Sequence, residues 1–108
     1  MTELTDSLHD VFAGLGSIQI RPMFGGHGVF HEGVMFALVA DDVVYLKSDA
    51  GIAARAEADG LQAFRYRKGN REVVMSYHQA PEAIFEDPEF AAELGREAFA
   101  VAWRRRKR

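Results

Sequence analysis

The sequence predicts an α+β domain in two layers, an antiparallel sheet with helices packed on one face. Three observations carry that expectation. The glycine-rich run Arg21-Pro22-Met23-Phe24-Gly25-Gly26-His27-Gly28-Val29-Phe30 leads into two strand-forming segments, Val34-Met35-Phe36-Ala37-Leu38-Val39 and Val43-Val44-Tyr45-Leu46-Lys47. Turn residues separate these segments at hairpin spacing. Apolar residues at helical spacing open and close the chain. At 108 residues the chain has the size of one domain, long enough to remove roughly two-thirds of its unfolded surface from water.

Each element has a local reason. Leu4, Leu8, Val11, Phe12 and Leu15 recur at helical spacing, with Thr5 or Asp6 as the expected cap and Gly14 and Gly16 as the stop. Ile18 and Ile20 begin the first strand. Arg21-Pro22 suits a strand end or an edge bulge, because proline has no amide hydrogen to give to a ladder. Gly25, Gly26 and Gly28 let the chain turn or bulge into Val29-Phe30. His31-Glu32-Gly33-Val34 reads as a tight hairpin and Asp41-Asp42 as a second turn, which leaves Val34–Val39 as a central, well-covered strand. A meander of three or four strands results.

From Asp49 to Gly60 the chain is alanine-rich, with an acidic cap in front and glycine behind, and predicts a short helix. Ala63-Phe64-Arg65-Tyr66-Arg67 and Glu72-Val73-Val74-Met75-Ser76-Tyr77 then form a hairpin about Lys68-Gly69-Asn70-Arg71. Asp87-Pro88 starts a long closing helix, with Phe90, Leu94, Ala98 and Val101 on one stripe. No repeat or linker divides the chain, so residues 1–103 read as one domain and 104–108 as a basic tail.

The net charge of −3 conceals an asymmetry: residues 104–108 hold five of the 13 cations, leaving eight against 16 carboxylates, or −8, in residues 1–103. An acidic body argues against a dedicated nucleic-acid coat. The chain contains no cysteine, which removes disulfides, thiolate metal sites and cysteine nucleophiles, and fits a reducing compartment. The amino terminus has no export signal, and the longest apolar run, Val34–Ala40, is too short for a bilayer. Cytoplasm is the expected location, with no membrane contact.

Motifs for chemistry are weak. Gly25, Gly26 and Gly28 lack the helix N-terminus, lysine and hydroxyl that accompany phosphate loops, and stand between strands as scaffold. His27 and His31 share a strand face but lie roughly 13 Å apart in an extended strand, too far for one ion. Ser7, Ser17, Ser48 and Ser76 sit in no nucleophile elbow, and Ser76 and His78 share a face with no orienting acid in view. Neither cofactor nor metal is implied. Contact chemistry is better represented. Arg65, Arg67, Lys68 and Arg71 cluster at the second hairpin beside Tyr66, and Arg104, Arg105, Arg106, Lys107 and Arg108 follow Trp103, exceeding what capping a helix C-terminus needs.

The blocks at 21–30, 33–39 and 44–49 together resemble the signature of the TfoX N-terminal domain family. Arg21, Pro22, Met23, Phe24, Gly25, Gly26 and Gly28 carry its most specific part. The segments Phe64-Arg-Tyr-Arg, Ser76-Tyr-His and Pro81-Glu-Ala-Ile-Phe-Glu-Asp-Pro are similar to weaker downstream blocks, so the resemblance spans nearly the whole chain. It implies a two-layer α+β fold similar to secretion-chaperone-like proteins. In two-domain relatives it implies a role in regulating bacterial DNA-uptake competence together with a carboxy-terminal domain, which is expected to be absent here. The function these observations favour is a non-enzymatic regulatory or adaptor domain acting on a protein partner or a second copy of itself. The alternatives are a weak, sequence-independent DNA contact through the hairpin and tail arginines, and an enzyme with no motif behind it.

Overall fold

The computed structural model describes residues 3–23 and 25–106; Phe24, Lys107 and Arg108 of the motifs above lie outside them. The order is α1 (Glu3–Val11), β1 (Gln19–Met23), β2 (Gly26–His31), β3 (Val34–Ala40), β4 (Val43–Lys47), α2 (Ala50–Ala58), β5 (Ala63–Lys68), β6 (Arg71–Gln79), a 3-10 turn (Glu82–Phe85) and α3 (Pro88–Arg105). All pairings are antiparallel, in the order β1-β2-β3-β4-β6-β5. The meander has four strands, and the second hairpin joins the same sheet through β6. β1 and β5 are the edges, so Pro22 occupies a strand whose outer side has no ladder to break.

Tight turns set the register. Glu32-Gly33 and Asp41-Asp42 each place two residues at positive φ (49° and 78°, 51° and 60°), the backbone that matches strand twist in a two-residue hairpin. At the first hairpin Met23 pairs with Gly26, and Gly25 takes φ +73°. The glycines therefore serve the turn and its flank. The bulge lies further on, where β2 and β3 shift register between Val29 and Phe30. Val29 faces Ala37 and Phe30 faces Met35, so Phe36 is the extra residue. Phe36 and Ala37, both fully buried, consequently enter the same core from consecutive positions.

That core fills the space between the sheet and its helices. Leu8 and Phe12 from α1 and its end, Val29, Phe36, Val44 and Leu46 from the strands, Ile84 from the 3-10 turn, and Ala91 and Ala98 from α3 form one cluster. Phe12 meets Phe36 edge to face at 5.3 Å. The buried stripe of α3 is Ala91, Ala92, Gly95, Ala98, Val101 and Ala102, and its small side chains let the helix axis lie close to the sheet. Asp87 accepts from the amides of Glu89 and Phe90, both at 3.1 Å, and caps this helix. Asp49 caps α2 by accepting from Ile52 at 2.9 Å. At the amino terminus the expected cap is corrected: α1 already includes Glu3, so Thr5 and Asp6 lie inside it, and Thr5 is fully buried.

Gly26 is the tightest point of the meander, because a Cβ there would sit 2.0 Å from the carbonyl oxygen of Val39. Gly26→Ala is expected to cost about 3 kcal/mol, since backbone must move, whereas Gly25→Ala, strained in φ but open in space, should cost about 1 kcal/mol. Urea denaturation of the two variants checks the order.

Candidate interaction surface

Three helices cover one face of the sheet, and the other face builds a small core from strand side chains alone. Leu38, Phe64 and Tyr77 are its buried centre, with Met35, Ala40, Tyr45, Tyr66 and Met75 packed around them. Toward β1 the surface continues: a Cβ on Gly28 would touch the sulfurs of Met23 and Met35 and the ring of Phe30, so those side chains surround its position. The rings interlock. Tyr45 meets Phe64 edge to face at 5.1 Å, and Phe64 stacks with Tyr66 at 5.9 Å.

Burial in this face shifts the groups that titrate there. Burial pushes the Tyr77 hydroxyl up to about 12 and raises that of Tyr45, with Asp41 adding to the latter. Burial also lowers Lys47, with the Arg105 charge as the smaller cause. All three shifts favour neutral forms, the signature of partly desolvated groups. Lys47 Nζ lies 4.9 Å from the Tyr77 ring centre and the Arg21 guanidinium 4.9 Å from that of Phe30, so cations already rest on two of the rings.

The hairpin cations divide between faces. Arg65 pairs with Val74 and Arg67 with Glu72, whereas Tyr66 pairs with Val73 and Lys68 with Arg71. By alternation Lys68 and Arg71 share the aromatic face with Tyr66. Arg65 and Arg67 point the other way, and Arg65 is committed to Glu72 at 3.2 Å. In the tail, Arg104 and Arg105 belong to α3, Arg104 pairs with Asp49 at 3.4 Å, and Arg106 lies 3.6 Å over the ring of Trp103. The motif residues have mixed roles: Pro22, Gly25 and Gly26 shape the first hairpin, while Arg21, Met23 and Gly28 contribute to the uncovered face.

A polar chain absent from the sequence reading lies on the helix side. Ser48 Oγ is 2.9 Å from His78 Nδ1, and His78 Nε2 is 2.9 Å from Glu57 Oε2. With Glu57 accepting from Nε2–H, a neutral imidazole leaves Nδ1 to accept the Ser48 hydroxyl. Ser76, two residues from His78 on β6, is exposed, and its carbonyl accepts from the Ser48 amide. Ser48, His78 and Glu57 lie on three different elements with no recognisable spacing, so only the packing of α2 against β6 brings them together. The chain ties α2 to the sheet. Ser48 is 2% exposed, unsuited to attack a substrate.

Beside it, a cavity of about 290 Å³ separates α2 from α3, lined by Leu46, Ile52, Ala56, Phe90, Leu94 and His78, and flanked by the Arg55–Glu97 pair at 2.6 Å. Ser48 does not line it. His31 is also structural, bonding the Ser17 carbonyl at 2.8 Å and packing on Phe99. Among the described residues, no three His, Asp or Glu side chains converge as a metal site would require, and no helix is long and apolar enough to cross a membrane.

The domain is a two-layer α+β fold that leaves one sheet face to strand side chains, and comparison with known proteins places it in a family. Residues 10–102 match the TfoX N-terminal domain, and the chain belongs to that family. It is 30% identical to the DNA transformation protein TfoX1 of Aliivibrio fischeri, over 91% of this chain and 47% of that protein. It is also 26% identical to protein Sxy of Escherichia coli, over 70% of this chain and 36% of that protein. The chain thus spans less than half the length of these relatives.

Two outcomes are expected. Ser48→Ala leaves His78 Nδ1 buried without a partner and should cost about 1–3 kcal/mol, while a fluorophosphonate probe leaves the wild-type serine unlabelled. Because the folded-state value of Tyr77 is raised, its contribution to stability is complete below the ordinary tyrosine range and is lost as pH climbs from 10 to about 12. Chemical denaturation across that window should show a fall in stability, and Tyr77→Phe should flatten it.

Proposed function

We propose that this protein is a cytoplasmic, non-enzymatic regulatory module of competence-type control, working by protein–protein contact through the uncovered sheet face. The single observation behind this reading is a surface of Met, Tyr and Phe side chains, partly dehydrated, that none of the described helices covers. Surfaces of this kind serve partners. The relative named for DNA transformation supports a regulatory setting, and a serine sealed from solvent fits contact better than catalysis.

Polyanion binding has less behind it. The hairpin cations do not form one patch, and Arg65 and Arg104 are held by carboxylates of the chain itself.

The test is site-specific photo-crosslinking in the native bacterium. A photoreactive residue at Tyr66 or Met75 is expected to give a discrete protein adduct, and one at Arg96, on the exposed side of α3, to give none. The reverse pattern, or adducts to nucleic acid alone, would refute the reading. Tyr45→Glu combined with Met75→Glu should also lower transformation frequency while the circular dichroism spectrum remains folded.

A further inference from the structure

Although residues 1–103 carry a net charge of −8, the uncovered face is cationic. Glu72 is the only carboxylate within the six strands, and it lies on the opposite face, paired with Arg65. The remaining acids occupy helices, caps and turns, with Asp41 bordering Tyr45 at one end. The charged residues of the face are Arg21 on β1, Lys47 on β4, and Lys68 and Arg71 at the β5–β6 hairpin. Lys68 and Arg71 stand directly opposite each other, a like-charge cross-strand pair that weakens a hairpin.

We propose that this face docks an acidic amphipathic polypeptide segment, whose carboxylates reach Arg21, Lys47, Lys68 and Arg71 and whose apolar side chains lie on the methionines and tyrosines between them. The proposal rests on the protein-contact reading above and adds the chemistry of the partner. All three described methionines, Met23, Met35 and Met75, belong to the surface, and thioether side chains adapt to an apolar partner without a fixed lock. Six strands give a width of roughly 24 Å, ample for one helix of about 10 Å diameter lying between the cations at the two sides.

Charge also decides among occupants. A second copy would bring cations onto cations. A single-stranded nucleic acid needs free ring faces, yet Phe30 and Tyr77 are capped by Arg21 and Lys47, and Phe64 is buried against Tyr66.

The experiment measures fluorescence anisotropy on the full chain with three labelled probes. Two are synthetic amphipathic peptides of about 18 residues, some five helical turns, sharing one leucine pattern, with Glu at every polar position in one and Lys in the other. The third is an oligothymidylate. The Glu peptide is expected to bind, more weakly as salt rises, and the other two to show no saturable signal. Lys68→Glu with Arg71→Glu, both exposed positions, should weaken it by about tenfold or more, while Arg65→Glu with Arg67→Glu on the opposite face should leave it within about twofold.

Equal or better binding of the Lys peptide or the oligonucleotide, or indifference to the Lys68 and Arg71 changes, overturns the proposal. So does self-association by sedimentation that is lost in the same variant. If neither peptide binds while the Tyr66 crosslink still forms, the acidic-segment inference is wrong and the protein-contact reading stands. If the crosslink is missing too, both fall.

Discussion

A single sheet has two faces, and the described helices pack on only one of them. Both faces must still exclude water from apolar side chains, so the second layer is assembled from the strands themselves. Phe64, Tyr77 and Leu38 are buried by their neighbours in the sheet, with Met35, Tyr45, Tyr66 and Met75 as the rim. The arrangement lowers the cost of an uncovered face without removing its apolar character. That asymmetry divides the molecule into a helix side and a strand side.

The helix side shows the opposite economy. α3 presents alanine, glycine and valine to the sheet, which allows close approach, and the bulge at Phe36 delivers two consecutive residues into the same interior. Phe12 against Phe36 closes the gap between α1 and β3. α2 is attached differently. A cavity separates it from α3, and its fixing points are the Asp49 cap, the Arg55–Glu97 pair and the buried chain from Glu57 through His78 to Ser48. A serine, a histidine and a glutamate within hydrogen-bond reach look like catalytic parts, yet burial decides their use. A hydroxyl closed off from solvent satisfies an imidazole and does little else.

Charge follows the same division. Sixteen carboxylates dominate the total, but the strand backbone sorts side chains by parity, and only Glu72 among the strand residues is acidic. A net charge is a sum over the molecule, whereas recognition reads one face. The hairpin cations, neighbours in the chain, are two half-patches in the fold, one tied to Glu72 and one beside Tyr66.

Much of the architecture was legible locally. Proline and the turn residues marked the strand limits, Asp49 and Asp87 announced their helices, and Lys68-Gly69-Asn70-Arg71 marked the second hairpin, because each of these depends on backbone preferences within a few residues. The blocks at 21–30, 33–39 and 44–49 also sufficed for the family resemblance, which the match over residues 10–102 bears out. The bulge position was not legible, since it is a relation between β2 and β3 and belongs to neither alone. Nor was the start of α1, where Thr5 proved to be a buried helical residue. The sequence by itself determined the elements, their order and the class of fold. Only the tertiary structure decided which sheet face remained uncovered, which cations share it, and that Ser48, His78 and Glu57 meet, because those depend on which distant segments compete for the same apolar surface.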